Sequence, residues 1–224
     1  GMLVTANVIP ALMRLRHDSP DCALASARTI FNLANVREIY LKIEKVIQAA
    51  VTVAASAGNS FPQLSCVART FKTLGNHSEL RPRLLEEGVM GAMQAILAKS
   101  GPDSEQLTDP TSSTPVSPED QSKLIELCCA VLHDLASCPR NRLAMVREKI
   151  VGTVVALANT PNQTDSIRGV CAGIISELAQ SEGNQIQVIN QGLSVLLSLA
   201  DSNDPATRSM CADTLCELSR SRKG

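Results

Sequence analysis

Apolar residues recur along this chain with the three-to-four-residue period of an amphipathic helix, and blocks of that pattern recur at a longer interval. Five blocks end in a polar residue followed by leucine, and these leucines are 41, 61, 43 and 40 residues apart. They are Leu33, Leu74, Leu135, Leu178 and Leu218. The interval of 61 contains a Pro-, Ser- and Thr-rich insertion over residues 100–119, and without it a period of about 42 holds throughout. The sequence therefore predicts an all-α repeat protein.

Two further sets of residues recur at fixed distances before the polar residue that precedes each leucine, and we call each set a column. Small residues stand five positions before that polar residue, namely Ala27, Ala68, Cys129, Ala172 and Ala212. Bulky apolar residues stand two positions before it, namely Ile30, Phe71, Leu132, Ile175 and Leu215. These offsets place both columns on the apolar stripe of one helix, so we expect them to be buried.

Residues that cap helix amino termini recur as well. Ser19, Ser60, Thr164 and Asp204 each stand 13 positions before the polar residue, and prolines follow two of them directly. Ser117, followed by Pro118, stands 17 positions before its polar residue. The third of these helices should therefore be about one turn longer.

Two more helices are predicted in each repeat. A second helix precedes the long one over 8–16, 89–99, 150–159 and 193–200. A short first helix fits 37–44, 80–87, 140–148 and 184–191, and its end is marked by Lys45, Gly88, Lys149 and Gly192. Each repeat should therefore contain three helices.

The first repeat resembles an armadillo repeat, on the strength of Val8-Ile9-Pro10-Ala11-Leu12, Ser19-Pro20-Asp21 and Phe31-Asn32-Leu33-Ala34. Later repeats depart from it, with Thr73, Asp134, Glu177 and Glu217 in place of the asparagine, and individual repeats also fit the related HEAT pattern. The resemblance implies one domain over 1–224, a right-handed α-solenoid of about five three-helix repeats, the first incomplete. The approximate repeat boundaries are 3–45, 46–88, 89–149, 150–192 and 193–224.

The resemblance also implies a concave groove lined by the third helices, and the polar residues on those helices then become candidate ligand contacts. Residues four apart share a helix face, so the polar residue of each block pairs with the residue one turn earlier. The candidate groove residues are Arg28, Asn32, Arg69, Thr73, Asp134, Glu177, Asp213 and Glu217. This groove would be basic at its amino end and acidic at its carboxyl end. Residues 1–100 hold 11 Lys and Arg against 7 Asp and Glu, whereas residues 101–224 hold 10 against 15.

Composition narrows the function classes. The net charge of −1 and an aromatic content of 2% argue against nucleic-acid binding, which needs excess basic charge or stacking platforms. No apolar run is long enough to span a membrane. The chain lacks Trp, so the lysine clamp with which nuclear-import members of this family hold their cargo is not expected. No glycine-rich phosphate loop or catalytic constellation is present, so we expect neither an enzyme nor a cofactor.

The eight cysteines are interpreted as core residues rather than metal ligands, because Cys128, Cys171 and Cys211 occupy one repeat column. A zinc site at Cys129, His133 and Cys138 lacks a fourth ligand and a Cys-x-x-Cys pair. Thiols in this number predict a reducing compartment, the cytoplasm or the nucleus.

The insertion over 100–119 is expected to be disordered, and it contains Thr114-Pro115 and Ser117-Pro118, which proline-directed kinases accept. A phosphate on Ser117 would stand at a helix amino terminus, where negative charge is favoured. A passive loop is the alternative.

We therefore expect an intracellular, non-enzymatic scaffold or adaptor that binds a protein or peptide in the groove. One alternative is the regulatory or targeting portion of a larger enzyme, such as a ubiquitin ligase. Another is a homo-oligomer formed through terminal repeats that lack polar caps.

Overall fold

The computed structural model describes residues 8–36, 43–56, 60–100 and 116–221. Within those ranges the chain forms α-helices and one 3-10 turn, Ser78–Leu80, with no strand, which confirms the all-α prediction. The helices are α1 (Val8–Leu15), α2 (Pro20–Ala34), α3 (Ile43–Ala55), α4 (Phe61–Gly75), α5 (Arg81–Glu86), α6 (Val89–Lys99), α7 (Pro118–Ala136), α8 (Pro139–Arg147), α9 (Ile150–Ala158), α10 (Asp165–Ala179), α11 (Glu182–Leu199) and α12 (Pro205–Ser221).

The chain divides into two compact units, Gly1–Val131 and Leu132–Gly224, and the division falls within α7. In the first unit α3 packs against α1 and α6, and α2 packs against α4. In the second unit α9 packs against α11, and α10 packs against α12. Helices predicted to hold the same place in successive repeats therefore lie against each other. This packing within each unit is consistent with an α-solenoid.

The predicted columns of small and bulky residues form the core of each unit. The first four members of both columns, Ala27 and Ile30 through Ala172 and Ile175, are no more than 1% exposed. The fifth members differ, since Ala212 is exposed and Leu215 is only half-buried. The columns are thus buried wherever a described helix of the next repeat follows.

The predicted helix starts are confirmed. The Cys22 N–H donates to Ser19 Oγ (3.1 Å), and the Ile167 N–H donates to Thr164 Oγ1 (3.3 Å). At Ser60 only one half of the capping box is formed: the Ser60 backbone N–H donates to Gln63 Oε1 (2.7 Å), whereas Ser60 Oγ has no partner in the described chain. These bonds use N–H groups that the first helical turn leaves without a partner. Helix α7 has 19 residues, against 15 in α2, α4 and α10, so the extra turn is also confirmed.

Two of the four predicted ends of the short first helix are confirmed. Gly88 and Lys149 have φ angles of 85° and 66°, and this left-handed conformation separates α5 from α6 and α8 from α9. Lys45 and Gly192 were wrong as helix ends, because each lies inside one continuous helix, α3 and α11. Residues 37–42 of the first short helix lie outside the described residues.

The structure shows why a glycine stands at position 192, inside α11. A Cβ atom at this position would lie 3.3 Å from Ile175 Cγ2, so the glycine allows α11 to approach α10 closely. The same residue type thus ends a helix at position 88 and permits close packing at position 192.

Candidate functional site

In the first unit, the candidate groove residues lie on α2 and α4, which pack against each other. Arg28, Asn32 and Arg69 are exposed, and Thr73 is half-buried. The opposite sides of both helices are buried in the core. The sequence pattern therefore separates the polar and buried sides of these helices correctly.

Cys66 shows that the two arginines share one surface. Burial raises the pKa of the Cys66 thiol, and the positive charges of Arg28 and Arg69 oppose that rise without cancelling it. Both charges must therefore lie within electrostatic reach of the same sulfur atom. The thiol stays protonated at neutral pH, so Cys66 lacks the thiolate that a nucleophile needs.

In the second unit, the four acidic candidates differ in exposure. Asp213 and Glu217 are exposed on α12, whereas Asp134 at the end of α7 and Glu177 on α10 are half-buried. Only Asp213 and Glu217 therefore present a largely open acidic surface.

Glu177 forms an ion pair that the sequence pattern did not reveal. Arg142 Nη2 on α8 donates to Glu177 Oε2 at 2.5 Å, and the two side chains are 10% and 23% exposed. Arg142 Nε also donates to the Ala136 carbonyl oxygen at 3.0 Å. The ion pair therefore links α8 to α10, and Arg142 neutralises much of the negative charge of Glu177.

His133 and Gly173 pack against each other. His133 is half-buried, and its ring lies over Gly173 on α10. A Cβ atom at position 173 would be 3.1 Å from His133 Cδ2 and 3.7 Å from Met210 Sδ. The glycine is thus covered by side chains from α7 and α12 and is not an open groove position.

The cysteine column is a core feature. Cys128, Cys171 and Cys211 are fully buried, and burial raises the pKa of the Cys128 and Cys211 thiols. All eight cysteines are free of disulfide bonds. In the described ranges, no three His, Cys, Asp or Glu side chains come together in an arrangement that could hold a metal ion.

Of the two candidate phosphorylation sites, Ser117 lies directly before α7. Thr114 and most of the insertion, residues 101–115, lie outside the described residues. Ser117 is exposed, and its Oγ accepts the Asp120 N–H (3.1 Å) and donates to Asp120 Oδ2 (2.8 Å). A phosphate on Ser117 would replace that donor with negative charge beside Asp120 and Glu119, so local repulsion would oppose the helix-dipole effect.

A polar pocket of about 330 Å³ lies in the second unit, where α9 and α11 end and α10 begins. Its lining includes Asp165, Arg168 and Asp201, with Ser198 and Ser202. Two acidic side chains and one basic side chain therefore line this pocket.

Leu197 on α11 is a large apolar side chain that is 54% exposed, whereas Val195 and Leu196 beside it on the same helix are 2% and 0% exposed. Leu197 is thus an apolar residue on the outer side of α11.

The chain matches no protein-family model and no curated protein sequence. None of the described helices combines the length and the apolar character needed to cross a lipid bilayer.

Proposed function

We propose that this chain is an armadillo-type array, a right-handed α-solenoid of about five repeats, that acts as a non-enzymatic scaffold. Its third helices would hold a protein or peptide ligand. One observation carries this proposal: the neighbouring third helices of the first unit keep Arg28 and Arg69 exposed on one side while their other side forms the core. In the second unit α12 keeps Asp213 and Glu217 exposed in the same way.

The exposed charges favour a ligand with charge asymmetry. Arg28 and Arg69 in the first unit favour an acidic segment, and Asp213 and Glu217 in the second favour a basic one. Glu177 is left out of this contact set because Arg142 already pairs with it. Electrostatic complementarity of this kind sets binding orientation and association rate more than total affinity.

The experiment uses peptides selected from a random displayed library against the full chain. Their affinities are then measured for the wild type and for two double variants, Arg28→Glu with Arg69→Glu and Asp213→Lys with Glu217→Lys. Each double reversal should weaken binding by about tenfold or more, or about 1.4 kcal/mol. The matched control is Lys45→Glu with Glu86→Lys, two exposed charges that lie off the third helices.

Circular dichroism would first establish that each variant is folded. If the selected peptides bind both reversal variants as tightly as the wild type, the third helices are not the binding surface. Loss of binding in the control variant as well would contradict a localised site.

Self-association is a second candidate, and the exposure of Leu197 is the observation that favours it. An exposed large apolar side chain on a helix surface promotes pairing. A second copy could cover Leu197 with its own α11 and α12.

A further inference from the structure

Two exposed apolar side chains lie on neighbouring helices of the second unit, away from the third helices. Leu143 on α8 is 47% exposed and Ile186 on α11 is 75% exposed. The two residues are 43 positions apart, so they hold the same place in successive repeats. Because α8 packs against α11, this repeat position brings both side chains to one surface.

Gly183 joins these residues into one patch. A Cβ atom at position 183 would lie 2.9 Å from Leu143 Cδ2, so the Leu143 side chain lies across α11 where that helix has no side chain. Ile186 follows one turn later on the same face of α11. We call Leu143, Gly183 and Ile186 the apolar patch.

The apolar patch is distinct from the hydrophobic core of the unit. Met145 on α8 and Val188 on α11, two residues after Leu143 and Ile186, are buried in the unit. Leu143 and Ile186 therefore lie on the other side of the same helices. Single exposed apolar side chains are ordinary in folded proteins, but Leu143 and Ile186 recur at the repeat interval and lie on either side of Gly183 on one surface.

Basic charge flanks the patch. Arg140 and Arg147 stand three residues before and four after Leu143, so they share its helix face, and both are exposed. Neither forms a salt bridge within the described chain, unlike Arg142 on the same helix, which pairs with Glu177. Glu182, one turn before Ile186, supplies acidic charge at one edge. The rim therefore carries a net positive charge that nothing in the described chain neutralises.

We propose that the apolar patch binds an acidic amphipathic segment of another protein. Apolar side chains of that segment would contact Leu143 and Ile186, and its carboxylates would pair with Arg140 and Arg147. This combination of apolar anchors with complementary charges at the rim is the usual basis of helix-in-groove recognition. The patch is separate from the third-helix surface, so the chain would bind two ligands at once.

The experiment selects displayed random peptides on the wild-type chain and removes those that also bind the variant with Leu143→Ser and Ile186→Ser. The remaining peptides should combine apolar residues with an excess of Asp and Glu. Their affinity should fall about tenfold or more in the Ser variant and in Arg140→Glu with Arg147→Glu, and it should weaken as salt is added. Leu15→Ser with Arg14→Glu, two exposed residues on α1, is the control and should leave binding unchanged.

Because all four substituted residues are exposed, the variants should keep the wild-type melting temperature. If the Ser variant is destabilised, Leu143→Ala with Ile186→Ala gives the same comparison with a smaller change. Binding that is equal in the wild type and both patch variants would overturn the proposal, as would selected peptides without acidic excess. A change in the oligomeric state of the patch variants without peptide would also overturn it, because the occupant would then be a second copy. Peptides that respond to Asp213→Lys with Glu217→Lys belong to the third-helix surface, so failures of the two proposals can be told apart.

Discussion

At the scale of single residues, two buried asparagines connect neighbouring helices: Asn141 connects α8 to α7, and Asn184 connects α11 to α10. The Nδ2–H groups of Asn141 and Asn184 donate to the Leu135 and Leu178 carbonyl oxygens, each at 3.1 Å. These carbonyls belong to the last turn of a helix, where no intrahelical donor is available. The two asparagines are 43 residues apart, so the bond repeats with the fold.

We expect Asn184→Ala to lower the free energy of unfolding by about 1–3 kcal/mol, because it removes two buried hydrogen bonds. Asn184 also donates to the Arg142 carbonyl oxygen at 3.1 Å, so two acceptors are affected. Urea denaturation followed by circular dichroism measures the change. Asn190→Ala, an exposed substitution in the same helix, should change stability by no more than about 0.5 kcal/mol. Equal effects of the two substitutions would contradict this assignment.

Asp204 should make stability depend on pH in the acid range. Its pKa lies below the ordinary value because the Thr207 hydroxyl donates to the carboxylate (2.6 Å), assisted by the Thr207 backbone N–H (2.9 Å). A folded-state pKa below the unfolded-state pKa stabilises the protein above the unfolded pKa, and this contribution is lost as pH falls through the folded value. The melting temperature of Asp204→Asn should therefore fall less than that of the wild type between about pH 5 and pH 2. Parallel curves for the two proteins would refute this role.

Residue type alone predicted the caps but not the other polar contacts. Ser19, Thr164 and Asp204 cap their own helices, and such a contact spans only two or three residues of sequence. The Arg142–Glu177 pair joins residues 35 positions apart, so it depends on the angle and offset of α8 relative to α10. The asparagine column was also hidden, because the corresponding position in the earlier repeat is Leu80.

At the scale of helices, the left-handed residues between the first and second helices give a matched pair of substitutions. Gly88 and Lys149 hold the same place in two repeats, and both have positive φ. This conformation costs a residue with a Cβ atom about 1–2 kcal/mol, whereas glycine adopts it freely. A Cβ atom on Gly88 would lie no closer than 3.9 Å to Val51 Cγ1, so packing does not obstruct it.

We therefore expect Lys149→Gly to raise the free energy of unfolding by about 1 kcal/mol and Gly88→Ala to lower it by about 1 kcal/mol. Thermal unfolding measured by calorimetry gives both values on the same chain. The opposite signs are the test, because a general effect of glycine on the unfolded state would make Lys149→Gly destabilising.

The helix pattern was predictable because burial repeats with the helical period, whereas the role of each glycine was not. Gly192 and Gly173 allow close approach to Ile175 and His133, while Gly152 has no atom within 4 Å of its missing Cβ. Nothing in the local sequence distinguishes these uses from the helix-ending use at Gly88. Gly192 was wrongly predicted to end a helix because its close-packing role cannot be recognised from the local sequence.

At the scale of the whole molecule, the repeat period is the property that the sequence encodes most strongly. It predicted which helices pack against each other within each unit and which columns are buried. It does not account for Leu197, whose side chain on α11 is 54% exposed while Leu196 beside it is buried. An exposed leucine leaves favourable apolar burial unrealised.

If a second copy provides that burial, the mass of the wild-type chain measured by light scattering should rise from monomer towards dimer with increasing concentration. Leu197→Lys should remain monomeric at the same concentrations, because pairing would bury an unpaired ammonium group. Leu15→Lys changes another exposed leucine, on α1, and should associate like the wild type. A wild-type chain that stays monomeric at high concentration would rule out this mode of assembly. An equal association constant for the wild type and Leu197→Lys would place the contact elsewhere, since the substitution removes this exposed apolar side chain.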